Sequence, residues 1–114
     1  MPVLQELMDL PGVYGAIEFS CTGELGETRG EIEPDFARIL AQMCAANMAI
    51  YRMQATGWTQ LTGQGGFLPE RGFALMTLDH VLMGMDGQAV LAHRAQFDYD
   101  LAYRRFNAAA ESNL

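Results

Sequence analysis

Between Arg38 and Arg52 the chain carries no charge: Ile39 to Tyr51 reads ILAQMCAANMAIY, and only Gln42 and Asn47 interrupt its apolar and small residues. The pattern is helical, yet a helix that covers a globular domain normally opposes its apolar face with a charged one. This one is apolar nearly all round, which restricts the folds open to the chain. Phe36, Ile39, Met43, Ala46, Ile50 and Met53 recur at three- and four-residue intervals and form the side expected to press on a sheet. Ala37, Ala41, Cys44, Ala45 and Met48 form a flatter side, whose small residues would let a second helix approach closely. That side is expected to meet the same helix of a second copy, with Arg52 and Trp58 completing the dimer interface and an otherwise wet apolar surface covered. The alternative is a fully buried central helix in a monomer, for which a chain of 114 residues offers few other elements. The run is shorter than the ~20 apolar residues that cross a bilayer, so no membrane insertion is expected.

The length implies one domain, residues 1–114, able to bury roughly two thirds of its unfolded surface. Half of the residues are hydrophobic, which excludes disorder. A formal net charge of -7 argues against nucleic acid and against anionic membrane surfaces, both of which are held by Lys and Arg. Glu6, Asp9, Glu18, Glu24, Glu27, Glu31, Glu33 and Asp35 crowd the first third of the chain against Arg29 alone. A partner recognised electrostatically would carry a basic patch, and Glu24, Glu27, Glu31 and Glu33 are the expected contacts. All seven basic residues are arginine, which removes lysine-amine chemistry. Cys21 falls in a turn and Cys44 in the apolar helix, with no secretory hydrophobic segment before them. Two free thiols in the cytoplasm are expected.

Pro2 to Leu10 reads as a short helix, with Pro2 in its first turn and Val3, Leu4, Leu7 and Met8 on one side, stopped at Pro11. Val13 to Ser20 alternates as a strand, with Val13, Ile17 and Phe19 on one face and Tyr14, Ala16 and Glu18 on the other. Thr22 and Gly23 supply a turn into an outer strand, Leu25 to Gly30. Glu31, Glu33, Pro34 and Asp35 suit a helix start, and that helix is expected to run to Thr56 and end at Gly57. Trp58 to Thr62 would be a short strand, followed by a glycine-rich connection. Gly72 to Leu78 and His80 to Met85 read as adjacent strands, Asp86 and Gly87 as a turn, and Gln88 to His93 as a strand or a connection. Phe97 to Ala110 closes as a helix with Tyr99, Ala102, Tyr103, Phe106 and Ala110 on one face and Asp98 near its start. Short connections favour antiparallel pairing, and strands apolar on both sides need cover on both faces. The expected fold is an α/β (α+β) three-layer sandwich: a central antiparallel sheet of about five strands, the long helix on one face and the terminal helices on the other.

This order, with the segment LMDLPGVYGAIEFSCTGEL from Leu7 to Leu25, resembles the roadblock/LC7 domain family. Leu7, Pro11, Gly12, Val13, Gly15, Ala16 and Gly23 match its helix–strand junction and first turn, and AQMCAANM at Ala41 to Met48, with Gly57 and Trp58, resembles a family of small bacterial proteins related to it. The resemblance reaches to about Met85 and rests on packing and turn residues, which speak for fold rather than activity. It implies a profilin-like sandwich that dimerises through its long helix and an adjacent edge strand and regulates or scaffolds small Ras-like GTPases or other multi-protein complexes. The chain departs from the pattern in the glycine-rich Thr62 to Gly66 loop and in the Gly87 to His93 segment.

Catalytic signatures are weak. His80 and His93 have no metal-ligand spacing to each other or to a cysteine, and are expected as surface or strand-end residues. Glu18 is the one carboxylate placed to share a face with Tyr14. Gly63-Gln64-Gly65-Gly66 lacks the following Lys-Ser/Thr of a phosphate-binding loop, and Ser20 and Cys21 have no base at recognisable spacing. The expectation is a non-enzymatic homodimeric interaction module with no cofactor and no metal. The alternative is a small-molecule sensor, whose pocket between sheet and helix would be lined by Tyr14, Trp58 and Phe73.

Overall fold

The structure, a computed structural model, describes residues 3–112 and the side chains of residues 3–108. The expectations placed on Pro2 and on the side chain of Ala110 lie outside the described residues. In chain order the elements are α1 (Leu4–Met8), β1 (Val13–Phe19), β2 (Leu25–Gly30), α2 (Pro34–Thr62), β3 (Gly72–Met76), β4 (His80–Met85), β5 (Gln88–His93), a 3-10 turn (Arg94–Gln96) and α3 (Tyr99–Ser112). The strands form one sheet in the order β2-β1-β5-β4-β3, every neighbouring pair antiparallel. Gln88 to His93 is therefore a full strand at the centre of the sheet. Its hairpin with β4 turns on Asp86 and Gly87, whose φ values of 54° and 84° are those of the two-residue turn that matches strand twist.

Two buried clusters sandwich the sheet. Leu4, Leu7, Leu10, Val81, Met83, Val90, Ala102 and Phe106 fill the layer beneath α1 and α3. Ile17, Phe19, Phe73, Leu82 and Leu91 fill the other layer against α2. The three-layer expectation holds, with one local exception in β1. Its register against β5 shifts between Val13 and Gly15, so strict alternation breaks there. Val13 packs with the α1/α3 cluster while Tyr14 joins the α2 side with Ile17, so Val13 does not share a face with Ile17 and Phe19.

The long helix departs from expectation at its end. It continues through Gly57 to Thr62, 29 residues or about 43 Å, and the strand expected at Trp58 to Thr62 is helical. A glycine weakens a helix interior by about 1 kcal/mol but ends it only where the chain turns left-handed. That turn comes at Gly63, at φ 69°, whose N–H bonds the Thr59 carbonyl. Pro34 sits in the first turn after Glu33, as its fixed φ favours. At the other terminus Asp98 Oδ1 accepts the Leu101 N–H at 3.0 Å and caps α3, which begins at Tyr99 after the 3-10 turn rather than at Phe97.

Candidate functional site

The two faces of α2 are the reverse of the sequence expectation. Ala37, Ala41, Cys44 and Ala45, assigned above to a dimer contact, are buried against the chain's own sheet, and Met48 is half-buried on the same side. The side expected to press on the sheet is exposed instead: Phe36 44%, Ile39 54%, Met43 43%, Ile50 51% and Met53 74%. The physical reason lies in the strands. Ile17, Phe19, Phe73, Leu82 and Leu91 already present bulky side chains to this layer, and only a helix face of small residues can sit close enough to fill the space without voids. Spacing located both faces correctly but did not say which one the strands could accept.

The outward face is a continuous stripe. Phe36, Ile39, Met43, Ala46, Ile50, Met53, Gly57 and Leu61 follow one another at intervals of three and four, the spacing of a helix–helix seam. Arg38, beside the stripe, is paired with Asp35 one turn earlier, and Arg52 holds Glu70 at 2.5 Å. That pair draws the Glu70 carboxyl below its ordinary range, chiefly through the hydrogen bond from Arg52. Neither arginine is left with an uncompensated charge beside the apolar stripe.

α2 touches both edge strands, β2 and β3, and beyond Tyr51 none of its residues is buried. There a groove of about 580 Å³ opens between its last turns, the returning loop and β3. Tyr51 stacks on Phe73 with ring centroids 6.0 Å apart, and Trp58 on Phe67 at 6.4 Å. Trp58 and Phe73 thus line one groove as the sensor alternative requires, but Tyr14 does not belong to it.

The expected partner-binding carboxylates are all exposed, Glu24 in the turn before β2, Glu27 within it, and Glu31 and Glu33 in the segment leading into α2, at the sheet edge opposite β3. Glu27 pairs with Arg29. Glu18, in the neighbouring strand, has its carboxyl pushed up by desolvation first and then by its hydrogen bond to Glu27 and that residue's charge. Burial pushes the Cys44 thiol up to about 12, which leaves it inert, while Cys21 is exposed. Ser20 Oγ accepts the Glu24 N–H and lies 3.0 Å from Thr22 Oγ1, a turn-forming role. Among the described residues no three His, Cys, Asp or Glu side chains are grouped to hold a metal ion, and no helix is long and apolar enough to cross a membrane.

One grouping escaped the sequence reading. Tyr14, His80 and His93, from three adjacent strands, form a single cluster with ring centroids 4.7 to 5.8 Å apart. The signal was present: six residues outward on either side of the Asp86-Gly87 turn lie His80 and His93, and the turn fixes them as register partners.

The model of a family described as "Uncharacterized conserved protein (DUF2173)" matches residues 3–108. Comparison with curated proteins found no match. Among solved structures, a roadblock/LC7 domain from Streptomyces avermitilis is 19% identical with a TM-score of 0.71, over 96% of this chain and 88% of that one. The gliding protein MglB from Thermus thermophilus is 15% identical at a TM-score of 0.72, over 95% and 80%. An MglB structure described as having a tetrameric arrangement is 15% identical at 0.73, over 96% and 80%. At such identities the likeness establishes the roadblock/LC7 fold.

Proposed function

From a chain that belongs to the DUF2173 family of uncharacterized conserved proteins and carries the roadblock/LC7 fold, we infer a non-enzymatic homodimeric interaction module. The observation that carries this is the exposed seam on α2, from Phe36 to Leu61, whose large apolar side chains stand in solvent in a single chain. A second copy in antiparallel orientation covers such a seam with itself, as a closed two-fold contact requires. The edge strand β3 lies beside it, with Leu75 47% exposed, and extends the contact. Arg52 and Trp58 remain in the interface on this account, whereas the alanine face and Cys44 do not. The tetrameric arrangement named for one MglB structure supports the reading that this fold assembles with itself.

Dimerisation through α2 and β3 leaves the β2 edge free. Glu24, Glu27, Glu31 and Glu33 then form a doubled acidic surface suited to a partner with a basic patch. The resemblance to roadblock domains makes a small Ras-like GTPase the leading class of partner and regulation or scaffolding the leading role. The sensor alternative retains one observation, the aromatic groove at Trp58 and Phe73. Light scattering separates the readings at their base: a mass of two chains at micromolar concentration supports the module, and a stable monomer refutes it. Capture of the partner should weaken as salt rises from ~50 to ~500 mM, because the Debye length falls from above ~10 Å to below ~5 Å. Capture indifferent to salt would place the contact elsewhere.

A further inference from the structure

The cluster of Tyr14, His80 and His93 takes no part in the interaction surfaces described above. Its geometry follows from the β4–β5 hairpin. Arg94 donates its N–H to the Asp79 carbonyl at 2.9 Å, which makes Asp79 and Arg94 a hydrogen-bonded pair. The next pair along, His80 and His93, is then a non-hydrogen-bonded pair, the kind in which facing side chains approach most closely. The His93 N–H is directed the other way, to the Gly12 carbonyl at 2.9 Å. Both imidazoles share the face of Leu82 and Leu91, both are exposed, and their centroids are 5.7 Å apart.

Two imidazoles bound to one tetrahedral cation, with metal–nitrogen bonds of about 2.0–2.1 Å, have centroids about 5.2 Å apart. The pair stands within about half an ångström of that separation, a difference that small side-chain rotations absorb. Tyr14 supplies the outer contact. Its Oη lies 3.0 Å from His80 Nδ1. A hydroxyl that accepts the Nδ1–H of His80 leaves Nε2 as the lone-pair nitrogen, as outer partners of metal-bound histidines do. Arg94, the nearest basic residue along the chain, is turned to the Leu78 carbonyl, 2.9 Å from its Nε.

We propose that His80 and His93 form an open binding site for a divalent transition cation of the imidazole-preferring class, with Tyr14 as a positioning residue that orients His80. Water or a carboxylate from outside the chain completes the coordination, so the site is a docking point for a metal or a metal-bridged partner rather than a closed structural centre.

The test is titration of the full chain with zinc alone, followed by calorimetry. Saturable binding of one zinc per chain in the micromolar range is expected. His80→Ala and His93→Ala, at exposed positions, should each weaken it at least about tenfold. Glu24→Gln with Glu27→Gln should leave it unchanged. Tyr14→Phe should shift the His80 tautomer balance, read by nitrogen-15 NMR of the ring, and weaken zinc less than loss of either histidine. No saturable binding below ~1 mM, or equal affinity in the double histidine variant, would overturn the proposal. Loss of binding in the Glu24/Glu27 variant would assign the cation to the acidic edge and overturn it equally.

Discussion

Placing one glutamate on each face of α2 separates the two sides by what they do. Ala41 is fully buried beneath the helix, against the α2-side cluster of the sheet. A carboxyl forced into such a layer has its pKa lifted toward about 8–9, so at neutral pH it folds only in its protonated form, at about 1.36 kcal/mol for each of the roughly 2.7 units between its ordinary pKa and pH 7, or about 4 kcal/mol, and the overpacking of a larger side chain adds about 1–3 kcal/mol. Domains of this size are stable by about 5–15 kcal/mol, so Ala41→Glu should unfold the chain or leave it barely folded. Ile50 is 51% exposed on the outward seam. Its remaining exposed surface is roughly 100 Å², worth about 2.5 kcal/mol when a second copy covers it and about 5 kcal/mol for the two symmetric sites. Ile50→Glu should therefore weaken dimerisation by three to four decades or so while changing the single chain's stability by less than about 1 kcal/mol. Circular dichroism melts combined with sedimentation velocity read both quantities. A folded, monomeric Ala41→Glu beside a dimeric Ile50→Glu would refute the assignment and restore the alanine face as the interface.

Three further outcomes follow from local features. Glu18 has a raised folded-state pKa, so the folded chain binds its proton more tightly than the unfolded chain, and stability falls as pH climbs from the ordinary carboxylate range to that raised value. Glu18→Gln should raise the melting temperature at neutral pH and lose that advantage below about pH 4; an equal gain at both would show that the carboxyl's charge is irrelevant. In a monomeric Ile50→Glu background, Gly63→Ala should cost about 1–2 kcal/mol, because its φ of 69° disfavours a side chain even with open space around it. Gly57→Ala should gain about 0.5–1 kcal/mol, since that glycine lies in a helix interior with nothing near its missing Cβ; a helix ending at Gly57 would reverse the two signs in urea melts. A thiol reagent should modify Cys21 in the folded protein and reach Cys44 only on unfolding; two fast-reacting thiols would mean that the α2 packing is open.

The layers, the strand pairing and the terminal helices were legible because they rest on signals local to each element: Pro11 after α1, the Asp86-Gly87 turn, Pro34 and Asp98 at helix starts. Three features were not. Gly57 looked like a helix end because composition reports a glycine but not its φ, and the left-handed turn occurs at Gly63. The shift that separates Val13 from Ile17 is a property of β1 paired with β5, invisible in β1 alone. The orientation of α2 depends on the size of five side chains from four strands, so its periodicity fixed two faces without choosing between them. The histidine pair was within reach of the sequence, since the same two-residue turn that predicts the hairpin sets its register.

The central claim is that α2 meets its copy through the outward seam. A disulfide cross-linking scan tests it most directly, with Met43→Cys, Ala46→Cys and Ile50→Cys made singly in a Cys21→Ser background. Cysteines bridge only when their Cβ atoms come within about 3.5–4.5 Å, so a two-fold contact near the middle of the seam should trap a covalent dimer at one of these positions or at two adjacent ones. Buried Cys44 serves as the internal control and should not cross-link. Rapid dimer formation under mild oxidation, peaking at a single point along the seam, is the predicted result. No covalent dimer at any of the three positions, in protein that still sediments as a dimer, would contradict the account and move the interface off α2.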